Sequence, residues 1–334
     1  MPPFGQSVGH DPRKANRDLA AARKALDSGN LPHAAVHVSN ALVAAPSLPE
    51  VHELLVRLAS HPQGGRELFP LGESLSLAGV LARAHVAASE HDYDHALGLL
   101  AKAQAFAPDV AWADVPWIAS EEAAERASAE MVIHVAGTLH ELLRTQDSAE
   151  LRVALRPYLP LIRNSIAAHP DNDRLLALAG YLFRRFDAAE AARYAARADE
   201  LNPSQATAVA LGYAYRDLGR TQDALAAWDH AIERGGANTL SVYSDIESML
   251  LEADRPADAI AYAERALALD KDHICSRVTV LAARFRQTQK AEYFDGLQDI
   301  YKTSPESSHA RGCAARALQT VVTKSATRTR VFGG

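Results

Sequence analysis

"ALGYAYRDLGRTQDALAAWDHAIERG" runs from Ala210 to Gly235. Two stretches of helix-forming composition meet in it near Gly219, and its small residues are spaced so that two helices can cross closely. After the turn comes Ala224, then Trp228 four residues on, then Ala231 three later. The same register recurs at Ala191, Ala195 and Ala198 and at Ala259, Ala263 and Ala266, so the anchor alanines stand 33 and 35 residues apart. Weaker copies lie at Ala34, Val38 and Ala41 and at Ala96, Leu100 and Ala103. A period of this length marks a unit of one helix pair that buries its apolar face by stacking on the next unit.

Composition agrees. Of 334 residues, 48% are apolar but only 6% aromatic, so Ala and Leu carry the apolar share. That favours helices, and no alternation of period two persists long enough for a half-buried strand. An all-α fold follows. The net charge of −6 leaves no concentrated basic face for phosphates, and only Lys324 to Arg330 is locally basic, which argues against nucleic acid as a partner. No signal-peptide core and no membrane-length apolar run occurs, so the expected location is the cytoplasm without membrane insertion. Seven of the 35 basic residues are lysine, and this Arg and Ala bias suggests a bacterial source.

The repeated segments resemble tetratricopeptide repeats (TPRs). Leu211, Gly212, Tyr215, Ala224, Trp228 and Ala231 stand in the signature places of that family. The proline that follows the second helix is present as Pro46, Pro108, Pro203 and Pro305, and is replaced by Gly236 and Lys271 in two repeats. The resemblance implies a TPR-type α-solenoid, a right-handed superhelix of antiparallel helix pairs. Helix pairs are expected at 15–27 and 31–45, 74–89 and 93–107, 172–185 and 188–201, 206–218 and 221–234, 240–253 and 256–269, and 274–286 and 290–303, with a capping helix at 306–322. The domain plan is then a flexible tail at 1–14, TPR-like pairs over 15–108, an elaborated insertion or junction over 109–170, a second array over 171–322 and a flexible basic tail over 323–334. Within the insertion, Ser120 is the expected N-cap of a long amphipathic run carrying Met131, Val135, Leu139 and Leu142.

Little in the chain points to catalysis. "HDYDH", His91 to His95, pairs two histidines four residues apart and suggests a metal-dependent sensor or enzyme, but these residues align with the inter-helix turn of a repeat. "HELLR" at His140 to Arg144 lacks the second histidine of a zinc-protease helix, and phosphate loops and nucleophile elbows are absent. Cys275 and Cys313 are far apart in sequence and show no metal spacing, so they are expected as small packing residues. No metal and no cofactor are expected. The diglycine end of "TRTRVFGG" resembles a modifier tail over two or three residues only, and is expected to be a frayed terminus.

The expected function is a non-catalytic scaffold or adaptor that binds another protein or peptide, with a peptide-sensing regulatory protein as the alternative. In TPR families the first helices line a concave groove. By that resemblance the groove would be lined by Phe183, Arg184, Tyr213, Arg216, Ser244, Asp245, Ser248, Phe285 and Arg286, a mixture of cations and rings suited to an acidic and aromatic segment. The alternative surfaces are a docking segment at Trp112 and Trp117, whose tryptophans would otherwise seal a junction, and self-association through the array ends into a homo-oligomer.

Overall fold

The computed structural model describes residues 11–69, 76–306 and 308–319. All regular structure among the described residues is helical. The chain divides into two compact units, Met1–Leu201 and Asn202–Gly334.

In the first unit, α1 (Pro12–Asp27) pairs with α2 (Leu31–Ala44), followed by the single helix α3 (Pro49–Ala59). A second pair is α4 (Leu77–Ser89) with α5 (Tyr93–Phe106). Then come α6 (Glu121–Arg126), α7 (Ala129–Thr145), α8 (Ala149–Leu155) and α9 (Leu159–Ala168), and a third close pair, α10 (Asp173–Phe183) with α11 (Ala188–Leu201). Helix α7 packs against α5 and against α10, so the region over 109–170 continues the stack with an irregular unit. The second unit holds α12 (Gln205–Asp217) with α13 (Thr221–Arg234), α14 (Thr239–Glu252) with α15 (Pro256–Leu269), and α16 (Ile274–Thr288) with α17 (Ala291–Thr303), followed by a helix at 309–319.

Two boundaries differ from expectation. The first helix starts at Pro12, inside the tail expected over 1–14, because the Asp11 side chain accepts from the Lys14 N–H and Pro12 suits the first helical turn. The run expected from Ser120 is broken after Arg126. Ser120 caps only α6, and Ser128 starts a new helix by accepting from the Met131 N–H, with its own N–H held by Asp94 Oδ1 at 2.7 Å. The tail expected over 323–334, including the diglycine end, lies outside the described residues, as do residues 1–10 of the first tail.

Five of the six turns between paired helices share one register. Two residues before the second helix of a pair, the backbone enters the left-handed region at Gly29, His91, Gly219, Asp254 and Gln289. Glycine supplies that conformation at no steric cost, whereas the other three side chains hold it at some expense.

The crossings of α10 with α11 and of α12 with α13 depend on missing side-chain volume. A methyl group at Gly212 would sit 2.3 Å from the Trp228 ring, and one at Gly180 would sit 3.0 Å from the Ala195 Cβ. Ala224, Trp228 and Ala231 are fully buried in one core with Ile246, Leu250, Ala282 and Leu297. The indole N–H of Trp228 donates to the Val209 carbonyl at 3.3 Å, which satisfies its polar atom inside that core. Gly212→Ala is therefore expected to destabilise the second unit by about 1–3 kcal/mol through overpacking. Gly98→Ala, in α5 with Met131 Cε at 3.6 Å as its nearest neighbour, is expected to be neutral or to stabilise by up to about 1 kcal/mol. Chemical denaturation of both variants checks this, and equal effects would contradict the crossing geometry.

Candidate functional site

Five of the expected groove residues come together. Tyr213 and Arg216 on α12 and Asp245 and Ser248 on α14 line one groove of about 520 Å³ in the second unit, with Ser244 beside them. They converge because α12, α14 and α16 are the first helices of successive pairs, and residues three or four apart on such a helix present one face. The Tyr213 hydroxyl donates to Asp245 Oδ2. Arg216 Nη2 lies 3.1 Å from Glu252 Oε2. The Tyr213 ring meets Trp228 edge to face at 5.4 Å, which ties the groove wall to the core beneath. Ser248 is exposed and points its small side chain into the groove.

The others lie elsewhere. Phe183 is fully buried. Its ring meets Tyr194 edge to face at 5.3 Å, and the Arg163 guanidinium lies 5.1 Å over it. Arg163 is held there by Glu190, whose two oxygens it reaches at 2.9 and 2.8 Å. Phe183 is thus a core residue, and both it and Arg184 belong to the first unit. Arg184 is half-buried, and its charge helps hold the nearby His140 ring below its ordinary value, an effect led by burial. Phe285 packs on Phe294 at 5.3 Å, and Arg286 donates to the Leu251 carbonyl in the last turn of α14, where a cation suits the helix end. Neither lines the groove.

The tryptophans divide in the same way. Trp112 is fully buried, and its indole N–H donates to the Ala107 carbonyl at 3.0 Å, so it offers no docking surface. Trp117 is half-buried and donates to His85 Nδ1 at 3.0 Å. With His52, Leu55 and Pro116 it lines a cavity of about 220 Å³ in the first unit.

The histidines expected as a metal alternative do not converge. His91 occupies the left-handed turn position and pairs with Glu122 at 2.8 Å, and the backbone N–H of His95 is capped by Asp92. The residues that do converge were expected to be inert. Cys275 Sγ lies 3.0 Å from His309 Nε2, and Cys313 Sγ lies 3.5 Å from the same nitrogen, on the groove wall. The sulfurs are brought together because Cys275 and His309 are 34 residues apart, one full repeat, while His309 and Cys313 are one helical turn apart. That combination of one period and one turn is the signal a search for short metal spacings passes over. Cys313 is held down to about 7, chiefly by accepting a hydrogen bond from the Cys275 thiol, with Arg316 beside it. The same bond and burial push Cys275 up. Below them Glu247 is fully buried, and burial pushes its carboxyl up to about 7 while its Oε1 accepts from the Ser276 hydroxyl at 2.5 Å.

Burial sets the protonation of the first unit's cavity too. His85 is held well below its ordinary value by burial, with His52 adding to the effect, and His52 is itself lowered by burial. Folded-state values below the unfolded one mean that the unfolded chain takes up protons the folded chain refuses. Stability from these rings is complete above the ordinary histidine value and is lost as pH falls through and below it. Going from pH 7.5 to 5.5 is expected to cost about 1 kcal/mol through His85. His85→Gln, which keeps an acceptor for the indole, is expected to remove that part of the loss. Denaturant midpoints at the two pH values, followed by tryptophan fluorescence, check this.

No protein-family model matches the chain, and no curated protein matches it. Among solved structures it is similar to a chain of the APC/C hetero-tetramer Cut9–Hcn1, at 16% identity and a TM-score of 0.38. That likeness covers 81% of this chain and 47% of the other, so the chain spans about half the length of the one it matches. It is also similar to TTC0263, a thermophilic TPR protein of Thermus thermophilus, at 15% identity and a TM-score of 0.33, over 71% of this chain and 99% of that one. A tetratricopeptide repeat protein of Parabacteroides merdae is similar at 11% identity and a TM-score of 0.41, over 93% and 99%. At such scores the likenesses add no argument of their own. No helix among the described residues is long and apolar enough to cross a membrane. On its own helix pairing each of the two units is all-α among the described residues, built largely of consecutive helices packed in pairs.

Proposed function

We propose that this protein is a non-catalytic scaffold or adaptor of the bacterial cytoplasm and that the groove of its second unit takes an extended or helical segment of a partner protein. The observation that carries this reading is the convergence of Tyr213, Arg216, Asp245 and Ser248 on one groove of about 520 Å³, a size that accommodates several side chains of a bound segment. The groove's polar groups favour hydrogen bonding and orientation over bulk apolar burial. Arginine and tyrosine supply planar surfaces and directed donors, which bind a partner segment at small cost in side-chain entropy.

The acidic preference drawn from the arginines alone is weaker once their neighbours are considered. Asp245 and Glu252 stand in the same wall as Arg216, so an acidic partner residue would have to displace Glu252 from its pair. A segment of mixed charge, with a hydrogen-bonding group facing Asp245, fits better. Rim pairs of this kind set orientation and association rate more than affinity.

The test is capture of a partner from native extract by three forms of the protein. Tyr213→Ala combined with Arg216→Glu removes groove contacts. Ser248→Arg fills the groove while deleting no contact of the fold, and so separates blocked binding from misfolding. Both are expected to weaken binding of the captured partner by tenfold or more, about 1.4 kcal/mol, with unchanged helical circular dichroism. A partner held equally by all three forms would place the interface outside this groove.

A further inference from the structure

The sulfur and imidazole cluster shares the groove wall with the proposed partner-binding groups and has its own chemistry. Among the described residues, Cys275, His309 and Cys313 are the group of ligand-bearing side chains whose donor atoms all lie within 4.8 Å of one another. Both cysteines are buried and the histidine is exposed, so the cluster has a packed base and an open side. A tetrahedral zinc ion holds thiolates at about 2.3 Å and imidazole nitrogen at about 2.0–2.1 Å, which places a sulfur and a nitrogen about 3.5 Å apart. The separations here, 3.0 and 3.5 Å, need only small side-chain rotations to reach that figure.

We propose that Cys275, His309 and Cys313 bind a thiophilic divalent metal ion of the Zn²⁺ class. Two thiolates and a neutral imidazole are a donor set that selects such ions over Mg²⁺ or Ca²⁺, which require oxygen. On binding, each thiol gives up its proton to solvent and a metal–sulfur bond takes its place. A surrounding shell is present. Arg316 Nη2 donates to Cys313 Sγ at 3.4 Å. Donors to a ligand sulfur fix its position and temper its charge.

A single histidine activating a nucleophilic cysteine is the competing use of the same contact. One sulfur would suffice for it, whereas here one imidazole nitrogen reaches two sulfurs on different helices, the arrangement a shared ion requires. Three protein ligands leave a fourth position, and the cluster's place on the groove wall opens that position to the groove. The ion would also tie the start of α16 to the helix at 309–319. The metal site stands whether or not the groove takes a partner.

The full chain, reduced with a phosphine, stripped with chelator and titrated with Co²⁺, provides the test. One Co²⁺ per chain is expected, with thiolate charge-transfer absorption and the strong visible bands of tetrahedral cobalt, all bleached by Zn²⁺. Cys275→Ser and Cys313→Ser are expected to abolish the charge-transfer band. His309→Ala, at an exposed side chain that leaves the core intact, is expected to weaken binding by at least about tenfold. His91→Ala with His95→Ala is expected to change nothing. Absence of saturable binding, or binding that survives in both His309→Ala and Cys313→Ser, overturns the proposal. Alkylation of Cys313 at the same rate with and without Zn²⁺ also overturns it, since a coordinated thiolate is protected.

Discussion

Two helix backbones can lie close together only where one of them gives up its side chain, and that constraint organises everything else in this molecule. At Gly212 the space is filled by the Trp228 ring, and at Gly180 by the backbone and methyl group of Ala195. The contact does more than save space. It sets the height at which the second helix crosses the first, so the next pair meets a surface of fixed shape, and the error that would accumulate along a stack of loosely packed helices is avoided. Trp228 shows the economy of the device, since one side chain fills the crossing, reaches the Val209 carbonyl and supports the Tyr213 ring at the groove.

The groove inherits its geometry from that crossing. First helices of successive pairs lie side by side, so positions one repeat apart become neighbours, as when Tyr213 on α12 meets Asp245 on α14 or Cys275 on α16 meets His309. Chemistry is assembled here along the period of the chain and not along any single helix. This explains why groups of very different character, an ion pair, a phenol–carboxylate bond and a sulfur cluster, share one wall within a few residues of each other's register.

Most of the fold was legible, because small residues at helix crossings leave a periodic mark and helix ends carry Ser, Asn, Asp and Pro in recognisable places. The break at Ser128 was legible in principle from its capping side chain, but apolar spacing across it is continuous, and periodicity outweighed the cap. The site was half legible. Tyr213, Arg216, Asp245 and Ser248 follow from the register that the TPR resemblance supplies, whereas Phe183 and Arg286 share that register and are taken up by local partners: Arg163 and Tyr194 around the first, the end of α14 around the second. Register specifies the direction of a side chain from its axis. It does not specify which neighbour claims it. His91 lies, as its alignment with the repeat indicates, in the turn between two helices.

The arrangement of contacts also bears on how the chain comes to fold. Most helices in either unit pack mainly on helices adjacent or next but one in sequence, so ordering a helix pair closes only a short loop and costs little chain entropy. Such topologies are quick to fold, and structure can begin in whichever pair forms first and spread outward. With a core of its own in each compact unit, the chain is not obliged to melt in a single step. The nascent chain emerging from the ribosome can then bury its earliest helices before its last ones exist.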